Sequence, residues 1–158
     1  MTQMPARHAS TRVVLVALAL SSAIAATAAD IPKKKSPYIG GPPAGARAFY
    51  ADTWGVDELT VKLADSGQLV RFDFRVLDAA KAAPLNDRAS EPFLLDEASH
   101  AVLSIPTMEK VGPLRQSMPP QTGKTYWMVF SNKGGPVKAG HRVSVVIGSF
   151  RVDGLVVQ

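Results

Sequence analysis

Methionine and histidine are the side chains that could bind a transition metal here, because the 158 residues of the chain include no cysteine. Thioether and imidazole groups are ligands that suit copper, and thioethers favour Cu(I). The candidate ligands are Met108, Met118 and His100, and further candidates are Met128 and His141. These residues show neither Met-x-x-Met nor His-x-x-His spacing, and methionine commonly fills irregular gaps in a core. Copper handling is therefore an alternative function rather than the first one.

Acidic, hydroxyl and imidazole side chains lie close together at Asp96, Glu97, Ser99 and His100. This composition suggests a serine, histidine and acid arrangement for hydrolysis. However, a catalytic triad is defined by spatial geometry and an oxyanion hole, and the sequence has no Gly-x-Ser-x-Gly elbow. We expect a solvated hairpin turn at these residues, and the sequence predicts no enzyme.

Residues 106–123 form the candidate binding loop. The segment contains four prolines, two methionines and charges of both signs. Structureless connections of this length are uncommon in compact domains unless they are functional or mobile. We therefore expect a partner to be contacted here. The predicted contact residues are Met108, Lys110, Leu114, Arg115 and Met118.

A charged stripe, Arg71, Asp73 and Arg75, alternates with apolar residues. It could recognise a carboxylate or a phosphate through two parallel hydrogen bonds. Such stripes more often pair with neighbouring charges, here with Lys62, and keep one face of a sheet in water. We expect the second role.

The charged stripe belongs to a predicted strand at residues 69–77, around which the rest of the chain is organised. The apolar residues of this segment share one parity: Val70, Phe72, Phe74 and Val76. A period of two residues indicates a strand with one buried and one solvated face. Alternation of this kind is typical of antiparallel sheets, so we expect an antiparallel β protein.

Other segments extend the same pattern. Residues 59–63 predict a strand that forms a hairpin with residues 69–77, and residues 78–83, halted by Pro84, predict one short helix. Further strands are predicted at residues 93–95, 102–105, 125–131, 143–147 and 152–157. About seven short strands, with turn residues near every tenth position, indicate an all-β, immunoglobulin-like sandwich.

The N-terminal residues predict export. Arg7 and Arg12 precede an apolar stretch at residues 13–25, and small residues follow at 26–28. This is the layout of a secretory signal peptide, so we expect residues 1–28 to be removed by cleavage near Ala28. The apolar stretch is shorter than the roughly 20 residues that cross a membrane. We therefore expect a periplasmic or secreted protein without a stable membrane span.

The segment after the predicted signal peptide reads as a linker. Residues 31–47 contain four prolines and three glycines, and such a segment buries too little surface to offset its ordering entropy. We predict a linker at residues 29–48 and a folded domain at residues 49–158. Outside residues 1–28 the chain has 16 Lys and Arg against 13 Asp and Glu, a weak charge that does not indicate nucleic-acid binding.

Several of these runs together resemble uncharacterised bacterial secreted proteins of predicted β-sandwich type. The runs are residues 74–78, 79–85, 92–96, 112–115 and 126–132. Residues 137–145 are also similar to the turn and strand that end many immunoglobulin-like modules. The resemblance implies a β-sandwich outside the cytoplasm and carries no activity, ligand or residue role.

Taken together, the sequence predicts an exported, non-catalytic β-sandwich that binds or scaffolds another envelope component through residues 106–123. The expected partner is an envelope protein or another periplasmic component, and no cofactor is expected. Periplasmic copper handling through methionine and histidine is the alternative. A hydrolase without a recognisable signature is the third hypothesis.

Overall fold

The computed structural model describes residues 41–158. The predicted signal peptide, residues 1–28, and the predicted linker as far as residue 40 lie outside the described residues. Within residues 41–158, no helix is both long enough and apolar enough to span a lipid bilayer.

Antiparallel β-sheet dominates the described residues. The helices are α1 (Ala44–Trp54) and α2 (Ala79–Ala82); the strands are β1 (Val56–Ala64), β2 (Leu69–Val76), β3 (Phe93–Asp96), β4 (Val102–Ser104), β5 (Thr107–Met108), β6 (Gly112–Pro113), β7 (Thr125–Ser131), β8 (Arg142–Ile147) and β9 (Phe150–Val156). One sheet has the order β1-β2-β7, a second has the order β4-β3-β8-β9, and β5 pairs with β6. All these strand pairs are antiparallel. The predicted antiparallel β class is therefore confirmed, as is the short helix after the second strand.

Strand β2 has the buried apolar face that its sequence pattern predicts. The side chains of Val70, Phe72, Phe74 and Val76 are fully buried. The rings of Phe72 and Phe74 lie 5.7 Å apart and stack on the same side of the strand. The hairpin with β1 is also present, and it turns through a short 3-10 segment at Asp65–Gly67.

Both large sheets contribute to one hydrophobic core. From the β1-β2-β7 sheet it includes Val61, Phe72, Phe74, Met128 and Phe130; from the other it includes Leu94, Leu103, Val143, Val145, Ile147 and Val152. Fully burying an apolar side chain of this size contributes about 1.5–3 kcal/mol. The sheets also meet at backbone level, because Val61 and Val157 form a parallel bridge. The shared core and this bridge hold the two sheets together.

Helix α1 corrects the predicted boundary between linker and domain. It begins at Ala44, so the last residues of the predicted linker, 44–48, are helical. Pro43 stands at the N-cap of the helix, close to the first helical position where proline is well tolerated. Tyr50 and Trp54 lie one helical turn apart, and their rings are 5.9 and 5.4 Å from the ring of Phe150. This packing against β9 stabilises a helix in a segment whose composition alone predicts a linker.

The segment at residues 106–123 is also more ordered than predicted, and it raises the strand number from about seven to nine in the described residues. Strands β5 and β6 form a hairpin within residues 106–123, in which Met108 pairs with Gly112. Beyond the hairpin, Arg115 forms an antiparallel bridge with Met128 of β7. Proline and glycine are depleted in strands, so the sequence pattern does not reveal these pairings.

Candidate functional site

Residues 114–116 fasten the loop at residues 106–123 to the outer edge of β7. The N–H of Val129 donates to the carbonyl of Leu114, and the N–H of Gln116 donates to the carbonyl of Trp127, each over 3.0 Å. The side-chain Oε1 of Gln116 accepts a further hydrogen bond of 3.1 Å from the N–H of Trp127. The base of the loop is therefore held by the same kind of hydrogen bonds as the sheet.

Arg115 strengthens this anchor from the other side. Its guanidinium donates to the carbonyls of Ser90 at 2.8 Å, Asp87 at 2.9 Å and Leu85 at 3.2 Å. Its Nε is buried without an acceptor. Burial lowers the pKa of Arg115 from its ordinary value, and the charge of Asp87 opposes that change. Arg115 thus links the loop to residues 85–90 instead of presenting its charge to solvent.

Two buried polar side chains fix the end of the loop. Nδ2 of Asn86 donates to the carbonyl of Met118 over 2.8 Å. The hydroxyl of Tyr126 accepts a hydrogen bond of 2.9 Å from the N–H of Gln121 and donates to the carbonyl of Pro119 over 3.3 Å. Because buried hydrogen bonds are costly to leave unmade, these contacts order residues 117–121.

Above this anchored base, the loop exposes large apolar side chains. Met108, Val111 and Met118 are 53%, 68% and 64% exposed. Lys110 is exposed as well, whereas Leu114 and Arg115 are half-buried at the base. We call Met108, Lys110, Val111 and Met118 the loop surface. Sequence reasoning missed Val111, because a single valine between charged residues and glycine gives no pattern.

A cleft of about 650 Å³ lies beside the hairpin. Val111 and Pro113 of the loop line one part of it, and Arg88, Glu91 and Ser104 line another. The cleft therefore combines apolar, charged and hydroxyl groups next to the loop surface.

The candidate copper ligands come from different elements of the fold. His100 lies in the exposed turn before β4, and Met108 lies in β5. Met128 is fully buried in the core. Within residues 41–158, no three His, Cys, Asp or Glu side chains are grouped so that they could hold a metal ion. The described residues give the copper alternative no specific support.

Asp96 contacts the serine of the predicted Ser-His-acid cluster, but it pairs with a different histidine. Nδ1 of His141 lies 3.0 Å from Oδ2 of Asp96, and Ser99 donates to the same oxygen through its N–H and its hydroxyl. Burial raises the pKa of Asp96, but the hydrogen bonds from Ser99 and His141 outweigh burial and lower it overall. In a triad the serine hydroxyl bonds to the histidine, whereas here both groups bind the carboxylate. The cluster is thus arranged to link the β3–β4 turn to the start of β8.

The charged stripe is internally paired, as expected, and Asp73 and Arg75 line a cleft that α1 also lines. Nε and one terminal nitrogen of Arg75 donate to the two carboxylate oxygens of Asp57 over 2.9 and 2.7 Å. Asp73 receives a hydrogen bond of 2.8 Å from Nε of Arg71 and lies 3.4 Å from Nζ of Lys62. Unlike the prediction of a wet face, Asp73 is only 7% exposed. The helix and these neighbours form a second cleft that the sequence did not reveal.

Comparison with known proteins gave no match to a family model, a curated protein or a solved structure. The function of the chain is therefore inferred from its own contacts.

Proposed function

We propose that the chain is an exported, non-catalytic binding module that engages an envelope protein through the loop surface. One observation carries the proposal: apolar side chains are exposed on a backbone that is hydrogen-bonded to β7 and to residues 85–90. Met108 and Val111 lie on the same hairpin, in which Met108 pairs with Gly112, and neighbouring exposed apolar groups are typical of interaction sites. Because the backbone is already ordered, binding would lose little conformational entropy.

The proposal includes an immunoglobulin-like sandwich as the scaffold. If the hairpin β5–β6 is set aside, the strands in chain order lie as 1-2-5 in one sheet and 4-3-6-7 in the other. An immunoglobulin constant domain has strands A, B, E and D in one sheet and C, F and G in the other. Six strands follow this arrangement, and the fourth pairs with the third instead of the fifth. In such sandwiches the loops at the ends carry binding residues.

Export to the periplasm rests on the sequence of residues 1–28, with its basic start, apolar stretch and small residues. An envelope partner follows from this location. The weak net charge of the chain outside these residues supports a protein partner over a nucleic acid.

Capture from the envelope fraction of the cells that make the protein tests the proposal. The full chain carries an affinity tag, and captured proteins are identified by mass spectrometry. We expect a defined set of proteins with the wild type and the loss of that set with the double variant Met108→Asp, Val111→Asp. Both residues are exposed, so the substitutions should leave stability within about 0.5 kcal/mol.

Phe49→Asp is the matched control, because Phe49 lies on α1 and has the same exposed fraction as Met108, 53%. The control should capture the same proteins as the wild type. A wild type that captures nothing specific, or a double variant that captures an unchanged set, would rule out binding through the loop surface.

A further inference from the structure

Strand β4 forms a sheet edge that differs from the other edges of the two large sheets. Those sheets have four edge strands: β1, β7, β4 and β9. The N–H of Gln158 donates to the carbonyl of Val61 on β1 over 3.0 Å, and residues 114–116 cover β7. Strand β9 carries Arg151 and Asp153, both exposed, and charged side chains commonly protect such edges. Strand β4 has neither kind of protection in the part of the chain that the structure describes.

The free edge of β4 presents backbone groups at Val102 and Ser104. The N–H of Asp96 donates to the carbonyl of Ala101, and opposite residues of an antiparallel pair alternate between hydrogen-bonded and non-hydrogen-bonded pairs. Because Leu103 is two residues further along the same register, it bonds to β3. The N–H and C=O groups of Val102 and Ser104 therefore point away from β3. No backbone hydrogen bond among the described residues uses these groups.

The side chains beside this edge form an apolar surface. Val102 is 64% exposed, and Phe93 on the neighbouring strand is 38% exposed. Leu95 pairs with Val102, and Val146 pairs with Phe93, so these four side chains share the outer face of the sheet. Strand β4 carries no charged residue. An exposed edge that is apolar and uncharged is a template for pairing with another strand.

We propose that β4 pairs with β4 of a second copy of the chain, antiparallel and about a two-fold axis at Leu103. Val102 then lies opposite Ser104 of the second copy, and the two residues exchange N–H···O=C bonds. The symmetry repeats this pair on the other side of Leu103, so every free backbone group at the edge receives a partner. The two four-stranded sheets become one continuous sheet.

A second copy fits this edge because a two-fold axis brings identical surfaces together. The free groups lie symmetrically on either side of Leu103, and β4 has no charge that would meet a like charge across the axis. The apolar surfaces of the two copies adjoin, since Val102 of each copy lies beside Ser104 of the other. The pairing uses no residue of the loop surface, so its failure would leave the proposed protein binding untouched.

Sedimentation equilibrium of the full chain tests the proposal. Because the paired strand is only three residues long, the interface is small and the association weak. We expect a monomer–dimer equilibrium with a dissociation constant between about 1 μM and 1 mM. Ser104→Pro removes a donor from the free edge and keeps the bonds between Leu103 and β3, and proline is tolerated at such positions. It should raise the dissociation constant by at least about tenfold. Ser104→Ala keeps the N–H, so it is the matched control and should dimerise like the wild type.

Val102→Lys is the second variant in case Ser104→Pro does not fold. It places a like charge on both sides of the axis and should weaken the dimer as well. Amide hydrogen exchange at Val102 and Ser104 should slow as the protein concentration rises, with Leu103, already bonded to β3, as the internal reference.

Four results would overturn the pairing through β4. They are a chain that stays monomeric at about 1 mM, association that continues beyond the dimer, a dimer that persists undiminished in both variants, and exchange at Val102 and Ser104 that does not respond to concentration.

Discussion

His141 places its Nδ1 3.0 Å from Oδ2 of Asp96, a carboxylate with no exposed surface. The pair joins the turn between β3 and β4 to the start of β8, and Ser99 completes the contacts of the carboxylate. The stability of this part of the β4-β3-β8-β9 sheet should therefore depend on the ionisation of Asp96.

We expect the folded state to lose stability as the pH falls below the pKa of an unfolded aspartate, about 3.9. The pKa of Asp96 is lowered on folding. Its contribution is therefore complete above the unfolded value and disappears as the pH falls through the folded value. Urea unfolding of wild type and Asp96→Asn between about pH 6 and pH 2 should show a stability gap that narrows at low pH. Asp153→Asn is the control and should follow the wild type at every pH. If the difference in unfolding free energy between wild type and Asp96→Asn does not change with pH, the ionisation of Asp96 does not stabilise the fold.

Gly55 should tolerate no side chain. It follows α1 with φ 61°, and a Cβ there would lie 2.7 Å from Cβ of Asp78. We expect Gly55→Ala to destabilise the fold by more than about 1 kcal/mol. Gly45→Ala is the control within α1, because a Cβ there meets nothing within 4 Å, and it should stabilise the fold by up to about 1 kcal/mol. Thermal unfolding measures both, and a shift of the two variants in the same direction would disprove this difference.

The role of β2 in the core can be tested by truncating one ring. Phe72→Ala removes a fully buried side chain and should cost about 3–5 kcal/mol in unfolding free energy. Phe93→Ala, at a ring that is 38% exposed, should cost about 1 kcal/mol or less. Urea titration measures both variants. If the two lose the same unfolding free energy, β2 is not the centre of the core.

Arg115→Met should loosen the base of the loop at residues 106–123. Three backbone carbonyls lose their donor, and we expect a loss of about 1–3 kcal/mol. Amide hydrogen exchange at Gln116 and Val129 should accelerate in the variant, because their bonds fasten the loop to β7. Lys110→Met, at an exposed position, is the control. Unchanged exchange in Arg115→Met would show that β7 alone orders the loop.

The alternation of apolar and polar residues predicted strands correctly where one face of the sheet is apolar and the other polar. Val70, Phe72, Phe74 and Val76 alternate with charged residues, and all four are buried. Burial of alternate apolar residues contributes most of the stability of such a strand, so a period of two residues determines its orientation.

The sequence did not predict segments whose ordered structure depends on contacts between residues far apart in the chain. Helix α1 is stabilised by Phe150, about a hundred residues away, and proline-rich residues 106–123 are held by Arg115 and Asn86. Neither contact has a periodic signature. The same reason concealed the cleft beside α1, since it needs the unpredicted helix as its second wall.

Site-specific photocrosslinking in cells can detect protein binding through the loop surface without purification. A photoreactive phenylalanine analogue replaces Val111 in one variant of the full chain and Phe49 in another, and both are irradiated in cells that make the protein. Val111 is 68% exposed and Phe49 is 53% exposed, so both positions are open to solvent. We expect a discrete crosslinked envelope protein from position 111 that is absent from position 49. No crosslink at position 111, or the same crosslinks at both positions, would refute binding through the loop surface.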